Sequence, residues 1–181
     1  MLLLRVQVLV IAVAISVVGA ARGQSGPDDG LKAEITTVSI PADRRPVVTF
    51  KISDGKGRLL ELADLDADSV KFTIAALKAG KSGDSDYQNY VLTKVAGKDY
   101  VYKGETRKPA LAETLQPSSD QGGVLAKQRP GVFTYTFKTA LPANFARSAT
   151  HVVGGEMTRG NRRYAANPLY EFVPSGGKVQ V

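Results

Sequence analysis

Cysteine and tryptophan are absent from the 181 residues, and His151 is the only histidine. Without thiols the chain forms no disulfide and cannot carry the CxxCH motif that attaches haem c. Zinc sites and nucleophilic sites normally combine several convergent groups, and no serine-hydrolase motif is present. The sequence therefore predicts no catalytic, cofactor-binding or metal-binding residue, and hence no enzyme. For His151 it predicts a packed or hydrogen-bonded side chain.

A hydrophobic run long enough to span a bilayer is also lacking. Within residues 1–23 the positively charged Arg5 lies near the start, and an apolar run at 6–18 and small residues at 19–21 follow it. The run is shorter than the ~20 residues of a transmembrane helix, and this order of regions is typical of a secretory signal peptide. A retained anchor is the alternative, although the lack of cysteine excludes a lipoprotein. We predict an exported protein in the periplasm, at the outer-membrane surface or outside the cell.

The charge excess is mild. Loss of residues 1–23 would remove Arg5 and Arg22 from the 24 basic side chains, so 22 would face 17 acidic ones, a formal +5. The basic residues are spread out except at 158–163, where Arg159, Arg162 and Arg163 fall together. Such a cluster usually marks a solvated hairpin end; the alternative is contact with an acidic partner, lipopolysaccharide or a carboxylate surface. We expect no nucleic-acid partner for an exported chain.

Three aspartates at alternate positions, Asp64, Asp66 and Asp68, match the first ligands of an EF-hand calcium loop. That loop also needs glycine at its sixth position and a bidentate glutamate at its twelfth. Ser69 and Ala75 occupy those positions, so the EF-hand interpretation fails. A looser calcium site is left open, because hard cations accept oxygen ligands in many arrangements.

The clearest positive signal is the stretch 131–141, GVFTYTFKTAL. Aromatic residues at every second position predict a strand with Phe133, Tyr135 and Phe137 on its buried face. Similar patterns predict strands at 46–53 and 70–77, which would add Phe50, Phe72 and Ile74 to the core. Short strands separated by turn residues indicate an all-β, antiparallel β-sandwich of Ig-like or Greek-key type, with a barrel as the alternative. A polar linker at 24–30 would precede this single domain at 31–174.

The remaining segments give weaker predictions. At 31–40, Ala33, Ile35 and Thr37 are expected on one face of a strand, and Val38 and Ile40 on the other. Residues 59–65 fit a short strand or a helical turn, 78–86 a mobile loop, 103–128 extended edge pieces or a short helix, and 143–148 a helical turn. The turn at 159–162 should join two strands of a hairpin, with Gly160 and Asn161 at positive φ. A last strand is expected at 167–174, with Tyr170 and Phe172 on one face.

Four tyrosines in short extended segments leave two interpretations open. Tyr87, Tyr90, Tyr100 and Tyr102 could form a sugar-stacking platform, and they fit packing on edge strands equally well. The platform would imply an extracellular carbohydrate- or matrix-binding module, with carbohydrate as the partner. This is the alternative function that the residues themselves suggest.

Six segments occur in a characteristic order: PVVTFKISDGKG (46–57), SVKFTIAALKAG (69–80), DYQNYV (86–91), GVFTYTFKTALP (131–142), ATHVVGGEM (149–157) and NPLYEFVPSGG (167–177). Together they resemble the N-terminal domain of the OmcA/MtrC-type outer-membrane multihaem (decahaem) c-type cytochromes. The resemblance implies a β-sandwich placed before haem-bearing domains, in a protein that moves electrons to extracellular acceptors. It implies haem domains or an outer-membrane, cell-surface partner, but no haem in this chain, because the family's CxxCH motifs lie beyond the NPxYxFVP segment. Residues 175–181 would be a hinge or the start of a connection to a missing haem domain.

Overall fold

The computed structural model describes residues 30–79 and 85–180. The predicted signal peptide, most of the linker and the centre of the predicted loop at 78–86 lie outside these residues. The described part is built from strands and one short 3-10 helix, Leu62–Asp64. Along the chain the strands are β1 (Lys32–Ser39), β2 (Val47–Ser53), β3 (Lys71–Ala79), β4 (Ser85–Asn89), β5 (Leu92–Ala96), β6 (Tyr100–Tyr102), β7 (Glu105–Arg107), β8 (Glu113–Pro117), β9 (Val124–Arg129), β10 (Val132–Thr136), β11 (His151–Arg159), β12 (Tyr164–Ala166) and β13 (Leu169–Phe172).

Two antiparallel sheets form the body of the molecule. The first has the order β1-β2-β10-β9, and the second has the order β12-β11-β3-β4, with β13 also paired to β11. The strand predicted at 131–141 is β10, and it lies between β2 and β9 inside the first sheet. Two further ladders, β5 with β8 and β6 with β7, belong to neither sheet. The fold is all-β and consistent with the predicted β-sandwich.

Aromatic rings from both sheets meet between them. Phe50 on β2 lies 5.3 Å from Phe72 on β3, and Phe72 lies 5.1 Å from Tyr135 on β10, measured between ring centroids. Phe133 and Phe137 extend the same row. These rings and Ile74 are at most 3% exposed, as the two-residue alternation predicts. Each ring removes about 150–250 Å² from water, so this row forms the centre of the core.

The predicted faces of β1 are wrong for its C-terminal half. A β-bulge between Ile35 and Thr37 inserts one residue into the pairing with β2. The extra residue shifts the alternation by one, so Val38 and Ile40 pack against the same core as Ala33 and Ile35 instead of facing away. Thr37 is exposed. Because side chains alternate with a period of two, one inserted residue is enough to exchange the two faces.

Other segments resolve into mixtures of the predicted alternatives. Leu59 forms a bridge to Ser53 before the 3-10 turn begins, so 59–65 contains both an extended residue and a helical turn. The stretch 103–128 holds extended pieces, as predicted, although β9 is a full strand of the first sheet. Residues 143–148 form hydrogen-bonded turns. The hairpin turn after β11 has positive φ at Gly160 and Asn161, as expected, and at Arg162.

The two sides of the sandwich differ. On one side β1 lies against β12 and β13, and the Arg159 guanidinium donates a 2.9 Å hydrogen bond to the Gly30 carbonyl. The final strand has half-buried Tyr170 and Phe172 on one face, as predicted. Past it, the Gln180 N–H donates to the Thr150 hydroxyl at 2.7 Å. On the other side β9 is an edge strand whose six residues are all exposed.

Candidate functional site

Two of the three aspartates in the calcium-like pattern, Asp64 and Asp66, serve as structural acceptors, and Asp68 is exposed. Asp66 accepts hydrogen bonds from the Thr158 hydroxyl at 2.8 Å and from the backbone N–H groups of Asn161 and Arg162 at 2.9 and 2.7 Å. The Arg162 N–H, against the opposing effect of burial, lowers the pKa of Asp66 below its usual value. Asp64 accepts from the Glu61 N–H at the start of the 3-10 turn. No group of three or more metal-ligating side chains stands together in the described part of the chain.

The arginine cluster divides between two environments. Arg162 and Arg163 are exposed at the hairpin end, as predicted, and Arg163 lies over the ring of Tyr164. Arg159 is 4% exposed and bonds to Gly30, so its assignment to a solvated hairpin end was wrong. The reason is its register: Arg159 is the last residue of β11, and its side chain bonds to Gly30, two residues before β1.

His151 is a packed, hydrogen-bonded residue, as predicted. Its Nδ1 lies 2.9 Å from the Ala149 carbonyl, which can only accept, so Nδ1 carries the proton. Nε2 therefore accepts from the Tyr90 hydroxyl at 3.2 Å. The two rings stack at 5.6 Å, with Phe145 and Phe172 against the histidine. Burial lowers the pKa of His151, so the imidazole is neutral near pH 7.

A buried carboxylate, Asp120, fixes the segment that crosses between the small ladders and β9. It is 3% exposed and accepts from the Tyr135 hydroxyl at 2.9 Å and from the N–H groups of Lys138 and Thr139 at 2.8 and 3.0 Å. Burial and the Asp120 carboxylate raise the pKa of Tyr135 to about 12. A side chain at Gly123 would collide with the Tyr135 ring. All these groups satisfy one another, so they indicate a structural role.

An open cleft of about 600 Å³ adjoins this cluster. It runs between the Leu62–Asp64 turn and the strand β9, and its lining includes Leu65, Asp68, Lys71 and Leu125. Lys127 on β9 and Glu61 form an ion pair of 2.7 Å between the same two segments. The buried polar groups of the lining already have partners: Asp120 and Tyr135 pair with each other, and the Ser69 hydroxyl donates to the Thr158 carbonyl at 3.2 Å. The cleft therefore lacks buried polar groups free to orient a ligand.

The two small ladders together form one projecting hairpin, which we call the hairpin arm (residues 92–117). Its base is closed by a hydrogen bond from the Ser118 N–H to the Val91 carbonyl at 2.9 Å. Its tip is the turn at Lys103 and Gly104, both at positive φ, as two-residue hairpin turns require. Within the arm, only Val95, Pro109 and Thr114 are half-buried; the other residues are exposed.

The arm exposes large apolar and aromatic side chains. Val101 is 72% exposed, and Leu111 and Leu115 are 62% and 61% exposed. Tyr100 and Tyr102 lie two residues apart on β6 and so share one face of the ladder. The Arg107 guanidinium carbon lies 4.8 Å from the centre of the Tyr102 ring, and the Lys103 ammonium lies 5.5 Å from it. So many large apolar side chains exposed on one element, together with the aromatic pair, point to an interaction surface.

The four tyrosines do not come together as a platform, the first of the two interpretations that the sequence left open. Tyr90 is half-buried against His151, and the Tyr87 hydroxyl bonds to Glu171 on β13 at 3.1 Å. Tyr100 and Tyr102 alone share a surface, on the arm. The arm is therefore the candidate functional site, and the candidate residues there are Tyr100, Tyr102 and the basic side chains around them.

Solved structures supply a comparison for this architecture. The outer membrane decaheme cytochrome OmcA superposes with a TM-score of 0.65 and 20% sequence identity, over 84% of this chain and 24% of the OmcA chain. This chain is therefore similar in fold to part of a decahaem cytochrome. MtrC from Shewanella baltica OS185 gives a TM-score of 0.54 and 16% identity, over 83% of this chain and 23% of the MtrC chain. The resemblance predicted from the six segments is thus confirmed at the level of the fold.

The match is partial on the cytochrome side. This chain spans about a quarter of the length of each solved chain. With no cysteine, it has no covalent attachment point for haem c. No family model and no curated protein matches the sequence.

Sequence reasoning missed the arm and Asp120. The tip could have been found, because Lys103-Gly104 between Tyr100–Tyr102 and Glu105–Arg107 is a two-residue turn signal between extended runs. Asp120 gave no signal. It lies in a polar stretch with Ser118, Ser119 and Gln121, and only the tertiary fold buries it.

Proposed function

We propose that this chain is an exported, non-catalytic β-sandwich module of a cell-surface multihaem cytochrome that takes part in extracellular electron transfer. One observation carries the proposal: this chain superposes on about a quarter of each of two decahaem cytochromes. It has no cysteine to which haem c could be attached. A module without redox groups contributes by positioning. Its role would be to hold haem domains against one another or against a partner at the outer membrane.

The proposed location rests on the N-terminal segment. Residues 1–23 have the charged, apolar and small-residue order of a secretory signal peptide. Within the residues that the structure describes, none of the helical structure is long and apolar enough to cross a bilayer. Export would also place the module in the same compartment as an outer-membrane cytochrome.

The proposal can be tested in the source organism with an antibody raised against residues 30–180. We expect the antibody to capture a haem-positive species, either one longer polypeptide or a complex, and to label intact cells. Peroxidase staining of denaturing gels detects covalent haem, and protease treatment of intact cells reports surface exposure. Capture of a species without haem and without a cytochrome partner would rule the proposal out.

A second candidate function is binding of carbohydrate or matrix. The half-exposed rings of Tyr100 and Tyr102, which share one face of the arm, favour it. Stacking of sugar rings on such a pair predicts glycan-array binding that is lost in the double variant Tyr100→Ala/Tyr102→Ala. Tyr87→Ala serves as the matched control, because Tyr87 lies on β4, outside the strand that carries Tyr100 and Tyr102, and its hydroxyl is bonded to Glu171.

A further inference from the structure

We propose that the tip of the hairpin arm docks on the exposed edge of a c-type haem, with Tyr100 and Tyr102 against the macrocycle and Lys98 and Lys103 beside its propionates. This inference rests on the proposed function and specifies the surface that would carry it out. A haem edge is apolar along the ring and anionic at its two carboxylates. The partner must therefore offer both properties within a small area.

The charge balance within the arm leaves two cations uncompensated. Its three acidic residues each pair with a cation of the arm: Glu113 with Lys94 at 2.9 Å, Asp99 with Lys108 at 2.8 Å, and Glu105 with Arg107 at 3.6 Å. Lys98 and Lys103 have no carboxylate partner among the described residues. Both are exposed. Lys98 lies two residues before β6, and Lys103 follows β6 directly in the turn to β7. The tip therefore presents net positive charge to a partner.

Basic side chains surround one of the two tyrosines at the tip, and Lys98 precedes the other by two residues in sequence. Tyr102 has Lys103 and Arg107 over its ring, and Tyr100 shares its face of the ladder. Tyrosine and arginine are the residues most enriched where protein surfaces meet, because they offer a large apolar area together with a polar end. Carboxylates beside an apolar surface complement this arrangement, whereas a neutral apolar surface would leave the lysines unpaired.

The isolation of the arm supports a role in binding. Two-stranded ribbons are only marginally stable on their own, and this one packs against neither sheet along most of its length. The two sheets do not need the arm to connect β4 to the segment before β9, since Val91 and Ser118 are already hydrogen-bonded at the base of the arm. Exposed apolar residues on such an element do not serve the core, so a contact outside the body accounts for them best.

The test uses the purified chain, uniformly labelled with ¹⁵N, and purified oxidised OmcA as the haem-bearing probe. Docking of the tip brings its amides close to paramagnetic iron, so signals from residues 98–108 should broaden first. The variant Lys98→Glu/Lys103→Glu should weaken binding about tenfold at low salt. The matched variant Lys32→Glu/Lys178→Glu makes the same change in net charge at two exposed lysines outside the arm, and it should lose much less.

Several results would overturn the inference. Equal loss in the two charge variants, or broadening centred outside the arm, would show that OmcA binds another surface; the proposed function would survive this result. Absence of binding to OmcA would reject tip docking, while antibody capture of a haem-positive species would still support the module itself. Binding to vesicles of anionic phosphatidylglycerol without binding to OmcA would assign the tip to a lipid surface instead.

Discussion

Strand β10 of the sandwich and strand β6 of the arm both carry aromatic residues at alternate positions. In β10 these are Phe133 and Tyr135, at most 3% exposed; in β6 they are Tyr100 and Tyr102, about half exposed. β10 has a hydrogen-bonded neighbour on each side and faces the second sheet, whereas β6 pairs with β7 alone. The same alternation therefore identifies a strand in both regions, but burial depends on what lies opposite.

The two regions also treat charge differently. In the body, Asp66 and Asp120 are surrounded by protein donors and fix crossings of the chain. In the arm, the carboxylates form exposed ion pairs, which contribute little stability, typically about 0–1 kcal/mol each. We conclude that the body owes its stability to packing and buried hydrogen bonds, and that the arm adds a surface. The following predictions test this division.

The largest effect is expected in the body. Phe137→Ala removes a ring that is 1% exposed and contacts Tyr135, so it should lower the free energy of unfolding by about 3–5 kcal/mol. Thr136→Ala, the neighbouring half-buried position, should cost much less, within about 0.5–1 kcal/mol. Urea denaturation of both variants checks the pair. A larger loss for Thr136→Ala would mean that the faces of this segment are reversed.

The buried carboxylate should come next. Asp120→Ala leaves the Tyr135 hydroxyl and the N–H groups of Lys138 and Thr139 without their acceptor, so we expect a loss of about 3 kcal/mol. Tyr135→Phe removes one donor and should cost about half as much. If thermal and urea unfolding show equal stability for Asp120→Ala and wild type, water replaces the carboxylate and Asp120 does not fix the crossing.

A smaller effect should appear with pH. Burial lowers the pKa of His151 in the folded state below the ordinary value of about 6.5, so the unfolded chain takes up a proton more readily. Stability should thus be fully present above pH 6.5 and decrease as pH falls below it. Urea midpoints at pH 7.5 and 5.5 measure this decrease, and it should vanish in His151→Phe. An unchanged pH dependence in that variant would assign the effect to another group.

The smallest effect on stability is expected from the arm. Replacement of residues 92–117 by Asn-Gly would join Val91 to Ser118, whose backbone groups are already hydrogen-bonded as a two-residue turn requires. We expect the free energy of unfolding to change by less than about 1 kcal/mol, because all but three of the deleted side chains are exposed and none is fully buried. Circular dichroism and urea titration provide the measurement. A failure to fold would show that the arm covers part of the body and would remove the distinction drawn above.

Much of the sandwich could be predicted from local pattern. The strands β2, β3 and β10 show clean two-residue alternation, and each buries the predicted face. Strand β9, with the sequence VLAKQR, could not be predicted, because all six residues are exposed and its pairing with β10 leaves no periodic signal. The bulge in β1 was equally hidden, since no glycine or proline marks the inserted residue.

The candidate site was less predictable than the fold. Tyr100 and Tyr102 were identified as candidates, but their separation from Tyr87 and Tyr90 depends on where the arm leaves the body. Arg159 looked like its neighbours Arg162 and Arg163 in sequence, and only its register on β11 distinguishes it. Such roles arise from contacts between segments distant in the chain, for example 129 residues between Arg159 and Gly30.

The contact of β1 with β12 and β13 bears on the order of events during biosynthesis. The first strand of the described fold reaches its neighbours on that side only after the last strand has been made, and β2 must wait for β10. Topologies dominated by such distant pairings fold slowly, because loop closure precedes the contacts that reward it. Ribosome-bound chains that end before Leu169 should thus remain sensitive to protease. The native sandwich would form only after its C-terminal strands emerge, as a late and cooperative step.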